Sequence, residues 1–254
     1  MRIAVIATTW NDGTMLVQFL RHYAPAVDRV FLLDNESDDG SVGDALSKLP
    51  KPERDRVDVS PYSTNEEFDI SLKMNAMMSM KSEIQHGFDY ILLLDSDEFV
   101  IPIQPGTTLR SAIEGRATHS IHATKGWSMV TRPKDAAYVE DVPLLAQRRW
   151  GFQDPWYAKP ILINPRFDHK YVWGMHGITC DPLHAIGPAF LKLLHFRLFD
   201  EDQYARRGLA RAARVSNGNR ALGCSAHITG KTEADFRREF KAMGSRLDLE
   251  KVIS

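Results

Sequence analysis

The sequence predicts an α/β fold, with a mixed, mostly parallel sheet flanked by helices and helical segments at the C-terminal end. Two observations carry this. Through the first hundred residues, short apolar runs alternate with stretches of helical periodicity, which is the order of parallel strands joined by helical crossovers. Three of those apolar runs end in polar clusters, at 8–13, 34–40 and 95–98. Right-handed crossovers bring the C-terminal ends of parallel strands to one edge, and open α/β sheets bind ligands at that edge. Three loops far apart in the sequence are therefore expected to meet.

Ile3 to Ala7 is a short apolar run and reads as a buried strand, with Thr8 to Gly13 as its loop. Leu16, Phe19, Leu20 and Tyr23 recur at helical spacing, so Met15 to Tyr23 is a helix. Val30 to Leu33 is a second strand that stops at the turn Asp34 to Gly40. Ser41 to Leu49 reads as helix and Val57 to Ser60 as a short strand. Asp69 to His86 is a long helix, and Tyr90 to Leu94 is a strand running directly into Asp95. Beyond residue 100, prolines at 102, 105, 133, 143, 155, 160 and 165 break the chain into short pieces. Leu191 to Phe199 reads as a strand, and Asp202 to Val215 and Thr232 to Leu249 as charged helices. The organisation expected is one domain over 1–230, with a nucleotide-binding half at 1–100 and an acceptor half at 101–230. A C-terminal helix at 231–254 follows.

The chain has 254 residues, 32 Lys and Arg against 33 Asp and Glu. That near-neutral balance argues against bulk nucleic-acid binding, which needs a basic excess. Cys180 and Cys224 are too few for a disulfide framework and lack metal-finger spacing. No run approaches the roughly 18 apolar residues of a membrane span, and the opening run is too short for a signal peptide. A cytoplasmic location is the expectation, and docking on a membrane surface stays compatible with it.

Asp95 and Asp97 lie two apart at a strand end. Two carboxylates so close repel each other, and burying both is unfavourable unless a cation joins them. A hard divalent ion, Mg2+ or Mn2+, meets that need with oxygen ligands and also neutralises a diphosphate. The alternative is a solvated acidic turn.

The segment from Tyr90 through Asp95-Ser96-Asp97-Glu98-Phe99 resembles the D-x-D segment of glycosyltransferase family 2-like proteins, in the subset with D-x-D-E-F. Val30 to Leu33 followed by Asp34-Asn35-Glu36-Ser37-Asp38-Asp39-Gly40 resembles their second-strand motif. Ile3 to Thr8 with Asn11-Asp12 resembles their first nucleotide loop. Lys73-Met74-Asn75 resembles a basic-residue-and-Asn pair on the helix before the D-x-D strand, and Leu193-Leu194-His195-Phe196-Arg197 a later strand that carries a histidine. Together these motifs reach over about 200 residues, closely in the first hundred and loosely after.

The resemblance implies the GT-A fold, a Rossmann-like nucleotide half joined to an acceptor half. It also implies transfer of a sugar from a nucleotide-diphosphate-sugar to the hydroxyl of a glycan or other acceptor, mostly with inversion, in surface glycan or polysaccharide synthesis. It places Thr8, Asn11, Asp34 and Asn35 at the nucleoside, Lys73 at the diphosphate, and Asp95 and Ser96 beside the donor. It assigns Asp97, His195 and Asp95 to the metal. An inverting transfer needs a base for the acceptor proton; Asp141 and Asp154 are the candidates, with His176 as a further one. Trp127, Trp150 and Trp156 are candidates for stacking on a sugar, or are core. Processive relatives carry Q-x-x-R-W; Gln147-Arg148-Arg149-Trp150 is one residue short, so a non-processive enzyme is expected. Two other readings compete. A nucleotidyltransferase is disfavoured by the single Gly and absent basic residue in 8–13. A non-catalytic module that binds a nucleotide sugar or a partner is kept open by the unplaced base.

Overall fold

The computed structural model describes residues 1–180 and 186–253. Its first half follows the predicted alternation: β1 (Ile3–Thr9), α1 (Gly13–Tyr23), β2 (Arg29–Asp34), α2 (Ser41–Ser47), a short α3 (Lys51–Arg54), β3 (Val57–Pro61), α4 (Ile70–Ile84) and β4 (Tyr90–Asp95). β5 (Glu98–Pro102), α5 (Leu109–Arg116), β6 (Ile121–His122), β7 (Lys125–Val130), α6 (Leu144–Gln147), β8 (Trp150–Gln153) and β9 (Leu162–Ile163) come next. Then come β10 (Lys170–Tyr171), β11 (Ile178–Thr179), β12 (Ile186–Gly187), β13 (Leu191–Leu198), α7 (Glu201–Arg214), α8 (Asn217–Ala221), α9 (Glu233–Gly244) and β14 (Glu250–Lys251).

Among the described residues, the large sheet has the order β12-β6-β9-β4-β1-β2-β3. β4, β1, β2 and β3 run parallel, and β9 is antiparallel to both β4 and β6. All seven residues of β1 are buried. A central parallel strand covered on both faces must be apolar throughout, and that is why Ile3 to Ala7 shows no alternation. On one face Val5, Ala7, Leu92 and Leu94 pack with Leu16, Phe19 and Leu20 of α1. On the other, Ala4, Ile6, Ile91 and Leu93 pack with Met77 of α4.

β1 is two residues longer than its apolar run. Thr8 and Thr9 stay in the ladder because Thr8 lies opposite Asp95 on β4 and Thr9 opposite Asp34 on β2. That register puts the ends of three strands side by side. β4 does not end in a helix. Ser96 and Asp97 turn the chain into β5, which runs antiparallel to β13, with Glu98 opposite His195. The second sheet, β14-β8-β7-β13-β5, is thus joined to the first at the acidic turn itself.

The expected helix over Thr232 to Leu249 is shorter. Gly244 approaches the Thr131 backbone so closely that a Cβ there would lie 2.3 Å from its carbonyl oxygen, and α9 ends at that contact. The chain continues into β14, which pairs with β8, while Phe236 and Phe240 of α9 pack on Tyr204 and Ala205 of α7. Residues 231–253 therefore hold a helix, α9, and a strand, β14, that joins the second sheet. No helix is long and apolar enough to cross a membrane among the described residues.

Candidate active site

Asp12, Asp95, Asp97 and Glu98 gather where β1 and β4 end, and each is anchored differently. Asp95 Oδ1 accepts from Thr8 Oγ1 at 3.0 Å and from Lys73 Nζ at 2.6 Å. Asp12, 1% exposed, accepts from Ser96 Oγ and from Gln203 Nε2 of α7, each at 2.9 Å. Glu98 accepts from the Asp95 backbone N–H at 3.0 Å and pairs with Lys159 in a fully buried salt bridge. Arg207 of α7 places one guanidinium nitrogen 3.2 Å from both Asp12 Oδ2 and Asp97 Oδ2. Three cations, Lys73, Lys159 and Arg207, thus face four carboxylates.

Burial pushes the carboxyls of this cluster toward neutrality, and the neighbouring cations decide the outcome group by group. At Asp95, Lys73 and then Lys159 outweigh burial and hold the carboxyl below the usual carboxylate range. At Asp97, His195 and Arg207 do the same. At Asp12 burial prevails over Arg207, and the carboxyl is raised. Lys159 is raised because Glu98 and Asp95 outweigh its own burial.

His195 Nδ1 is buried without a hydrogen-bond partner, whereas Asp97 Oδ2 meets the Arg207 guanidinium at 3.2 Å. His195 Nε2 stands 3.6 Å from Asp97 Oδ1, too far for a hydrogen bond. That separation suits two ligands on one small cation with bonds of about 2.0–2.2 Å. Among the described residues no three or more His, Cys, Asp or Glu side chains form an ion-holding group. Asp97 and His195 would have to hold such an ion as a pair, with phosphate oxygens and water supplying the other ligands. Asp95 faces Lys73 and Thr8 in this arrangement.

The other predicted positions divide into two groups. Asn11 joins the second loop: its backbone N–H donates to Ser37 Oγ at 3.0 Å, and its amide exchanges hydrogen bonds with Asp38. Asp34 accepts from Ser37, and Asn35 is buried against Thr64. Asp154 sits across β7, where it caps the turn Pro155–Tyr157. Asp141 lies apart from these, 90% exposed and 3.6 Å from Arg21 on the outer side of α1.

Two cavities open at this edge. The first, about 270 Å3, is lined by Thr8, Trp10, Asn11, Asn35, Tyr62 and Arg214 among others. The Arg214 guanidinium carbon lies over Trp10, 3.6 Å from the ring centre. The second, about 600 Å3, is lined by Asp97, Asp154, Trp156, Tyr157, Lys159, His176, His195 and the 223–228 segment. Both cavities share Phe68, Lys73, Asp95, Arg207 and Arg211. Trp156, 65% exposed, stands at the second cavity, whereas Trp127 is buried in the core and Trp150 lies under the Arg132 guanidinium, 4.1 Å away.

Sequence reasoning passed over Gln203, Arg207 and Arg211. They recur every four residues on α7, and that spacing was the available signal. A charged helix face is ordinarily solvated, so the spacing alone did not distinguish them.

No family model matches the chain, and no curated protein matches it. Solved structures do. A mannosyltransferase from Pyrobaculum calidifontis, in complex with GDP-Man and Mn2+, is 16% identical with a TM-score of 0.43, over 96% of this chain and 69% of that one. GalNAc-T7 with UDP, GalNAc and Mn2+ is 12% identical with a TM-score of 0.41, over 94% of this chain. The galactosyltransferase LgtC, in complex with donor and acceptor sugar analogs, is 9% identical with a TM-score of 0.35, over 64% of this chain. The chain spans 56% of the length of GalNAc-T7 and 58% of that of LgtC. The chain itself has a mixed, mostly parallel large sheet flanked by helices.

Proposed function

We propose that this protein is a glycosyltransferase that moves a sugar from a nucleotide-diphosphate-sugar to an acceptor hydroxyl. One observation carries the reading: a narrow cavity and a wide one meet at a seam of Lys73, Arg207 and Arg211. A diphosphate needs cationic donors along its length. A nucleoside needs a slot with aromatic faces and a few placed polar groups, which Trp10, Tyr62, Asn11 and Asn35 supply. The sugar and its acceptor need the roomier space beyond, where Trp156 offers a flat face.

In this reading the nucleoside lies in the first cavity and the diphosphate crosses the seam. Lys73 and Arg211 hold its oxygens, and Arg207 keeps Asp12 and Asp97 fixed. Asp97 and His195 would hold Mn2+ or Mg2+, which supplies a Lewis acid at the departing diphosphate. An acceptor oxygen attacks the anomeric carbon from the second cavity as the bond to the diphosphate breaks, which inverts that centre. Lys73 and Arg211 stabilise the charge left on the leaving group.

The test is release of free nucleotide diphosphate from UDP-, GDP-, dTDP- and CDP-linked sugars, with Mn2+ present. At least one donor is expected to turn over, and Arg211→Ala to raise its KM about tenfold, the effect of one charge-assisted contact. Binding of a nucleotide without turnover of any donor would instead favour a non-catalytic binding module.

A further inference from the structure

We infer that His176 is the group that takes the proton from the acceptor hydroxyl in the second cavity. The inference rests on the transferase reading above.

His176 Nδ1 is 2.6 Å from the Trp156 carbonyl oxygen. A carbonyl can only accept, so Nδ1 carries the hydrogen, and the neutral ring presents Nε2 as a lone pair. Nε2 has no protein partner among the described residues, and the residue lines the second cavity.

The ring is also gripped. Its centroid is 4.4 Å from that of Trp156 and 5.7 Å from that of Tyr157, which meets it edge-on. Gly174, at φ +68°, makes the space: a Cβ there would lie 2.8 Å from Cδ2 and 3.0 Å from Nε2 of the imidazole. The backbone turns as only glycine does readily, at the point where a side chain would collide with the reactive edge. Burial, then the nearby Lys159 ammonium, lowers the imidazole to about 4, so the ring stays neutral at physiological pH.

Asp154, the other candidate base in this cavity, is already engaged. Its Oδ2 accepts from Ser128 Oγ at 2.7 Å, and its Oδ1 accepts from the Trp156 backbone N–H at 3.1 Å. It shapes the turn that supplies the carbonyl to His176. Asp154 is thus a positioning residue, and His176 the proton acceptor.

The step balances. The acceptor oxygen forms its bond to the anomeric carbon and gives its proton to Nε2. The bond from that carbon to the diphosphate oxygen breaks, and the electron pair leaves on the diphosphate. Solvent then removes the proton from the imidazolium.

The test has three arms on the intact chain. Calorimetry measures UDP and GDP binding with Mn2+ for wild type and His176→Gln. Donor turnover, with water or a sugar as acceptor, is measured for wild type, His176→Gln and Asp154→Asn. Nitrogen-15 spectra of histidine-labelled protein, assigned with His176→Gln, read the tautomer near neutral pH. The expected result is unchanged nucleotide affinity, a kcat lowered about 10²- to 10⁴-fold in His176→Gln, and a ring protonated on Nδ1 only. A His176→Gln enzyme within threefold of wild type in kcat, or a ring protonated on Nε2, overturns the inference and leaves the transferase reading standing. A wild type that binds neither nucleotide removes the reading beneath it. A wild type that binds a nucleotide but turns over no donor removes the transferase reading, and the inference falls with it.

Discussion

Lys73 and Asp95 show how one pair serves both stability and chemistry. Their side chains are 15% and 26% exposed and meet at 2.6 Å. Asp95 ionises below its unfolded value of about 3.9. A depressed carboxyl contributes stability above that unfolded value and loses it as the pH falls through the folded one. Lys73→Ala is therefore expected to cost about 1 kcal/mol near neutrality, or roughly 2–4 °C in Tm. Thermal melts of the two proteins should draw together as the pH falls below the unfolded value and through the folded one. A constant offset across that range would mean that packing, and not charge, is what the lysine contributes. Asp95 and Lys73 were both legible in the sequence as motif residues. Their mutual contact was not, because it depends on which face of α4 turns toward the strand ends.

Among the elements, the turn Pro155–Tyr157 is central to the second cavity, since Asp154, Trp156, Tyr157 and Lys159 all line it from the turn or its flanks. β7 admits it at Gly126, where a Cβ would lie 2.2 Å from the Tyr157 carbonyl carbon and 2.4 Å from the Asp154 carbonyl oxygen. Backbone on both sides leaves no room for adjustment. Gly126→Ala should lose at least about 2 kcal/mol, roughly 4–8 °C in Tm. Gly115 in α5 is the control, with nothing within 4 Å of its Cβ position. Gly115→Ala should be neutral or stabilising by up to about 1 kcal/mol. A differential scan of both variants checks the contrast. This region was poorly legible. β7 reads Lys-Gly-Trp-Ser-Met-Val, with neither alternation nor a continuous apolar run, and its partners β13 and β8 lie far along the chain. The strands of the first sheet were legible because full burial makes each a short apolar word of its own.

For the whole molecule, the site depends on a helix held from behind. α7 brings Gln203, Arg207 and Arg211 to the strand ends, and α9 packs on its other side with Phe236 against Gly208, where a Cβ would lie 2.5 Å from the ring. Removing residues 232–254 would expose Phe152, Tyr204 and Ala205 and free α7. Truncation at residue 231 is expected to lose nucleotide binding together with cooperative melting above about 40 °C. A truncated chain that melts and binds like the full one would show 231–254 to be an independent appendage. The docking of Phe236, and of β14 on β8, depends on tertiary partners that no local pattern names.

On the proposed reading, the acidic turn and the cationic seam together bind a nucleotide diphosphate through a divalent ion. Calorimetric titration of UDP and GDP, with and without Mn2+, on wild type and Asp97→Ala tests it most directly. One nucleotide is expected to bind wild type, Mn2+ to tighten the binding at least about tenfold, and Asp97→Ala to abolish the metal effect. Binding that is equally tight without Mn2+, or unchanged in Asp97→Ala, would contradict the metal site. No binding of either nucleotide under any condition would contradict the donor site itself.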